Sequence, residues 1–565
     1  MSDLDVKNPS EESLKTQGNQ AFHRKDYLKA VKLYTEGIKC FPKNPIFYLN
    51  RALVCISIHF YQESLADLTI AKSLDPQNPK IYYRTALAFQ LSGEYEKAIE
   101  TLQEIIFFGI KNPEILELFE ELNEKKDRIV KPHPSEKKKF EELIRWTSMA
   151  GAEFPKIYLE YYSQDYRGVH CYKDLVPGET IIFIPHRHLI TLHLTKQTPL
   201  AKKLIQNNFE LNYGSDVFFA AFLLEEQSNP DSVWSPYLKV LPQSFENFPI
   251  FYSESERNFL IGSPFLDLIG ERSSGFQEDY MAICKVDASF TKYTFIDFCK
   301  ARLCVSSRVF GINIDNQETE ALAPLADMIN HSKDRNACWT YSNERAGFLI
   351  RAEVPIGKGE QIFDTYGTKS NSRYLLSYGF IQDFNTYDDY PYYVKLLTNL
   401  PHYRTKKSYL RNNYEMMRLR ANLDLGFLYF LSSLRFYEET NEDKVNEFIS
   451  TCMSTNTVID PNRYKPSSKE TEKLAIRKFI QLTDHFLAKY PISLAADKEK
   501  LKGNLTQNEI NCVKLVISEK EVLTFYQKIL PELYKAVDRV PNLNDPDLSP
   551  SLKFYTERVL IPLHS

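Results

Sequence analysis

The sequence predicts a multidomain chain: an all-α solenoid of helix pairs, then an α+β domain with a helical insertion, then an all-α C-terminal domain. Three observations predict it. An Asn-Pro dipeptide recurs at a fixed period near the start, short β runs punctuated by Gly and Pro begin at Phe140, and apolar stripes at helical spacing fill the chain from about Lys395. At 565 residues the chain has room for roughly three or four domains. Hydrophobic residues at 43% and charged residues at 25% suit a soluble globular protein, and 70 Lys plus Arg against 74 Asp plus Glu argue against a nucleic-acid or membrane-surface binder. No apolar run approaches the roughly 18 residues of a membrane span. The opening MSDLDVKNPSEESLK is polar and acidic, unlike a secretory signal. Nine cysteines are scattered singly with no C-x-x-C pair. That pattern suits free thiols in the cytosol or nucleus, and no metal site is expected.

The dipeptides Asn44-Pro45, Asn78-Pro79 and Asn112-Pro113 are 34 residues apart and divide the start into units 11–44, 45–78 and 79–112. Small residues recur at the eighth position of each unit (Gly18, Ala52, Ala86) and at the twentieth (Ala30, Ser64, Ala98), which lets two helices approach closely. Pro42 and Pro76 end the second helices. A helix-pair unit of this period resembles the tetratricopeptide repeat. PEILELFEELNEKKDRI then reads as an amphipathic capping helix, giving a repeat domain over 11–129. Residues 130–139, rich in lysine and carrying two prolines, read as a linker.

Lys15 and Asn19 lie one turn apart on a first helix, Asn50 lies on the next, and Lys80 and Arg84 again sit one turn apart on the third. Two lysines, an arginine and two amides suit a pair of carboxylates. The five positions match the carboxylate clamp of chaperone-binding tetratricopeptide domains. The resemblance implies docking of an acidic C-terminal tail such as those of the ninety- and seventy-kilodalton heat-shock chaperones.

The middle region, 140–385, has a mostly helical insertion at about 194–310. YRGVHCYKDLVPGETIIFIP reads as a turn at Arg167-Gly168, a strand, a Pro177-Gly178 turn and a second strand, and GFLIRAEVPIGKGEQIFDTYG repeats the device. The stretch PLADMINHS sets Asp327, Asn330 and His331 in an apolar segment, where polar groups need either backbone partners or a polar ligand.

Six landmarks in order, GAEFPKIYLEYYSQDYRGV, PGETIIFIP, WSPYLKVLP, SRVF, LADMINHS and YGTKSNSRYLLSYGF, resemble the SET-domain methyltransferases of the Rubisco large-subunit lysine methyltransferase branch. The resemblance implies S-adenosylmethionine as cofactor. It would be met by backbone at Arg167, Gly168 and Val169, by Asn330 and His331, and by Arg308 at the carboxylate. It also implies Tyr366 as the catalytic residue, acting electrostatically, and an acceptor channel walled by Tyr378 and Phe380, with Asp327 on the substrate side or bracing its turn. Phe310 stands where a histidine-methylating relative has asparagine. An aromatic wall suits the aliphatic stem of lysine, so the expected substrate is a protein lysine.

The final region, 390–565, reads as helices such as NLDLGFLYFLSSLRFY and QNEINCVKLVISEKEVLTFYQKIL, and resembles the substrate-binding domain that follows SET in that branch. The expected function is a cytosolic protein-lysine N-methyltransferase with a peptide-docking repeat domain. The competing readings are an adaptor with an inactive SET domain and a protein-histidine methyltransferase.

Overall fold

The computed structural model describes residues 10–107, 112–125, 134–162, 166–207, 214–409, 414–453, 466–538, 543 and 548–564. It divides into two compact units, Met1–Pro242 with Ile283–Gly367, and Gln243–Ala282 with Thr368–Ser565.

The first unit opens with α1 (Glu11–His23), α2 (Tyr27–Cys40), α3 (Pro45–Ser57), α4 (Tyr61–Leu74), α5 (Pro79–Leu91), α6 (Tyr95–Phe107) and α7 (Pro113–Lys125). The Asn-Pro dipeptide starts α3, α5 and α7. The side chains of Asn44, Asn78 and Asn112 accept from the N–H groups of Ile46 (2.9 Å), Lys80 (3.1 Å) and Ile115 (3.2 Å). The proline occupies the first helical position, where a missing N–H costs nothing. Gly18, Ala52, Ala86, Ala30, Ser64 and Ala98 are all buried between helices, and a Cβ on Gly18 would strike the Tyr34 ring. Ile115, Leu118 and Leu122 of α7 complete the core of the third pair.

A second 34-residue period appears in the turns within each pair. Lys25, His59 and Gly93 hold φ of 59°, 61° and 76°. This edge of the array packs on the β-rich domain. Lys25 pairs with Glu153 at 3.8 Å, and the His59 ring stacks on Phe154 at 4.4 Å with Nε2 2.9 Å from the Phe154 carbonyl. Ile56, Leu87 and Ala88 share a core with Tyr158 and Tyr172.

Helix α8 (Pro134–Met149) corrects the linker boundary, because residues 134–139 are its first turns. Pro134 suits the opening position and Glu136 the positively polarised first turn. Residues 130–133 lie outside the described residues.

The strands are β1 (Ile157–Tyr161), β2 (Arg167–Cys171), β3 (Thr180–Pro185), β4 (Ile190–Thr191), β5 (Phe310–Ile314), β6 (Gln317–Leu322), β7 (Asn330–His331), β8 (Ala337–Ser342), β9 (Gly347–Ala352) and β10 (Phe363–Asp364). They form antiparallel sheets β1-β2, β3-β9-β8 and β4-β6-β5, and a short parallel pair in which Asn330 faces Phe363 and His331 faces Asp364. The expected turn at Arg167-Gly168 is instead the start of β2, with Gly168 opposite Glu160. Glycine is required there for close approach, since Tyr162 and Gln361 fill the space a Cβ would take. Gly178 does turn the chain, at φ 82°.

In the second unit, Phe265 and Ile269 from the insertion share a core with Tyr392, Phe427, Phe479 and Tyr526. Among the described residues the C-terminal region is helical, with an antiparallel ribbon, β11 (Asp389–Lys395) and β12 (Tyr414–Arg420), at its start. No described helix is long and apolar enough to cross a membrane.

Candidate active site

Three stretches remote in sequence meet at the parallel pair β7/β10. The Asn330 amide donates to the Arg167 carbonyl at 2.8 Å, tying β7 to β2. Two residues beyond β10, the Tyr366 N–H donates to His331 Nδ1 at 3.1 Å, and the Tyr366 hydroxyl donates to the Ile329 carbonyl at 3.0 Å. The His331 and Tyr366 rings lie 5.1 Å apart. Gly367, at φ 86°, turns the chain immediately after.

Ahead of β7 the backbone is strained. Leu325 is fully buried at φ 71°, ψ −43°, then a single 3-10 turn spans Ala326–Met328. A non-glycine residue rarely adopts this conformation unless its surroundings impose it. The turn points the Asp327 side chain inward, where it is 0% exposed. Arg308, at the end of helix Phe295–Arg308, donates to the Asp327 carbonyl at 3.0 Å and carboxylate at 3.2 Å. The Tyr237 hydroxyl donates to the same carboxylate oxygen at 2.7 Å. Burial pushes the Asp327 carboxyl up against the pull of Arg308. Burial alone would lower Arg308, but the neighbouring carboxylate outweighs it and holds the guanidinium charged.

A second guanidinium lies alongside. Arg167 stacks on Phe140 at 4.3 Å and reaches Met328 Sδ at 3.0 Å, while Arg308 approaches the same sulfur at 3.9 Å. Burial and the Arg308 charge push Arg167 down to about 10. Arg167 Nε, Arg308 Nε and Asp327 Oδ1 are buried without a protein partner. Orphaned donors on two guanidiniums, with an orphaned acceptor on Asp327, fit a ligand that brings a carboxylate and polar donors of its own.

The structure thus brings together Arg167, Gly168, Val169, Arg308, Asp327, Asn330, His331 and Tyr366. The carbonyls of Arg167 and Val169 already accept from Asn330 and from the Ile362 N–H (2.8 Å). Phe310 opens β5 and packs on Phe348 at 4.7 Å and Trp339 at 5.3 Å. Tyr378 and Phe380 belong to the second unit, where both flank Tyr374 at 6.2 and 5.3 Å. Sequence reasoning gave no role to Tyr237, Met328, Phe140 or the strained Leu325. Tyr237 lay inside the quoted WSPYLKVLP, yet nothing in that pattern signals a hydroxyl partner 90 residues away.

In the repeat domain, Asn19 Oδ1 accepts from the Tyr34 hydroxyl at 2.7 Å and from the Asn50 amide at 3.4 Å. Arg84 donates to the Leu49 carbonyl at 2.6 Å, and burial pushes it down to about 10 despite the opposing pull of Tyr34. Lys15 lies 3.5 Å from Glu12, and Lys80 is exposed.

Residues 166–367 match the family description "SET domain", and residues 398–523 match "Rubisco LSMT substrate-binding". The chain is 28% identical over 371 residues to the ribosomal lysine N-methyltransferase set10 of Schizosaccharomyces pombe, covering 64% of this chain and 62% of that protein. It is 23% identical over 420 residues to the actin-histidine N-methyltransferase of Homo sapiens, covering 68% of this chain and 67% of that protein. Among solved structures, the SET domain of LSMT bound to lysine and AdoHcy superposes with a TM-score of 0.60 at 20% identity, over 72% of this chain and 93% of that one. Rubisco LSMT bound to AdoMet gives 0.58 at 20% identity, over 71% and 93%.

Proposed function

We propose that this chain, which carries a SET domain followed by a Rubisco LSMT substrate-binding domain, is an S-adenosylmethionine-dependent protein-lysine N-methyltransferase whose repeats dock acidic peptide tails. The observation that carries this reading is Tyr366. Its N–H is on His331 and its hydroxyl on Ile329, within the segment that Asn330 ties to Arg167.

When bound, S-adenosylmethionine supplies an electrophilic methyl group on a sulfonium. Arg167 and Arg308 would receive its carboxylate, and their partnerless Nε atoms are the buried donors such a group satisfies. Asp327, braced by Tyr237, keeps Arg308 charged and in place. With its proton committed to Ile329, the Tyr366 oxygen acts as an acceptor. It favours positive charge nearby, and so orients a neutral amine and stabilises the cation formed on it. The amine must shed its proton to water before attack, because the lone pair forms the new bond.

Lysine as acceptor is supported by the apolar Phe310–Phe348–Trp339 cluster. Histidine is the second reading, favoured by the resemblance to actin-histidine methyltransferases. Tail docking is supported by the meeting of Asn19, Asn50 and Tyr34, with Arg84 close enough to influence the tyrosine.

Transfer of labelled methyl groups to proteins of a cell extract tests the enzyme, with mass spectrometry to locate the modified side chain. Tyr366→Phe should lower the rate by about a hundredfold while cofactor binding measured by calorimetry persists. Cofactor binding without transfer by the unaltered protein would instead establish an adaptor. Label on imidazole nitrogen would establish the histidine reading.

A further inference from the structure

The repeat array meets the β-rich domain through α5, the helix that also carries Lys80 and Arg84. Tyr83 of α5 packs in the cluster that holds Tyr172 at the end of β2. Arg84 follows Tyr83 and Lys173 follows Tyr172, and the two cations are close enough for the charge of Arg84 to act on Lys173.

Elsewhere the same junction neutralises its charges. Lys25 faces Glu153 at 3.8 Å, Arg145 faces Glu63 at 2.6 Å, Lys137 faces Glu94 at 3.4 Å, and Lys358 faces Glu121 at 2.8 Å. At this spot the pattern stops. Arg84 donates to a backbone carbonyl. Lys173 lies 5.9 Å over the Tyr172 ring and has no ion pair among the described residues. Neighbouring Lys156 is already committed to Glu179 at 2.7 Å. Burial, Lys156 and Arg84 together push the Lys173 ammonium below its ordinary value, with Glu114 pulling the other way. Two cations that form no ion pair among the described residues suit an anionic partner.

We propose that Lys173, supplied by the β-rich domain, is a further cation of the carboxylate groove, so that an acidic tail is gripped by both domains at once. The proposal rests on the tail-docking reading above and extends it across the domain junction. A tail held this way reaches the turn that follows β2 of the SET domain, the strand whose first residue is Arg167.

The test is fluorescence anisotropy on the full chain. The probe is a labelled acidic heptapeptide ending in Glu-Glu-Val-Asp, with its terminal carboxylate either free or amidated. Lys173→Glu should weaken binding of the free-carboxylate peptide about tenfold and Lys173→Ala about threefold, while Lys173→Arg stays within about twofold. The salt dependence of the affinity should flatten in Lys173→Ala, with the thermal unfolding midpoint unchanged. If the unaltered protein does not bind the peptide, the groove reading falls and takes this one with it. If it binds, Lys80→Ala weakens it and Lys173→Glu does not, the groove stands and Lys173 is excluded.

Discussion

Asp327 carries its carboxylate at 0% exposure, an arrangement that is stable only while every partner is present. Arg308→Leu leaves that charge buried without its cation and should destabilise the protein by about 3–5 kcal/mol. Tyr237→Phe removes one hydrogen bond to a charged group and should cost about 1.5–3 kcal/mol. Chemical denaturation of both variants checks the order; equal costs would mean that Arg308 and Asp327 do not form the pair described. At this scale the sequence announced that Asp327, Asn330 and His331 needed partners. It did not say which, because Tyr237 and Arg167 lie 90 and 163 residues from the groups they meet. The strain at Leu325 was equally hidden, since no side-chain pattern marks a leucine held at φ 71°.

Among elements, the repeats were the most legible, because each helix start carries its own instruction. Asn78 caps α5 and Pro79 opens it, so Asn78→Ala should cost about 1 kcal/mol and Asn78→Asp much less, read as shifts in urea midpoint. An unchanged midpoint in Asn78→Ala would show that tertiary packing alone sets the start of α5. Gly168 was less legible. Glycine marks either a turn or a close approach, and only the arrival of Gln361, remote in sequence, selects the second. Pro134 likewise signals a linker or a helix start, and α8 depends on apolar partners such as Leu143, which is fully buried.

For the molecule as a whole, the junction between repeats and β-rich domain holds a titratable crosslink. His59 is buried between the Tyr61 hydroxyl at 2.6 Å and the Phe154 carbonyl at 2.9 Å, and burial pushes it down to about 4 from its ordinary 6.5. A base depressed on folding binds fewer protons in the folded state. Its contribution is complete above about pH 6.5 and is lost as pH falls toward 4, by on the order of 3 kcal/mol. Asp364 and Asp388, raised to about 6 by burial, titrate with the opposite sign. The readout is therefore the difference between the unaltered chain and His59→Gln, which should lack this slope between pH 6.5 and 4. Parallel pH profiles would show that the imidazole is not neutral at the junction.

What the sequence determined by itself was whatever short-range rules encode: helix starts, the 34-residue period, the strand-rich middle, and the charged and amide residues carried by α1, α3 and α5. These follow from backbone capping, side-chain periodicity and charge, all written within a few residues. Tertiary structure alone decided that residues 243–282 join the C-terminal unit, that Arg308 spends its charge on Asp327, and that the repeat turns seat on the β-rich domain. Those outcomes depend on which distant surfaces exclude water together, and burial of that kind leaves no local pattern.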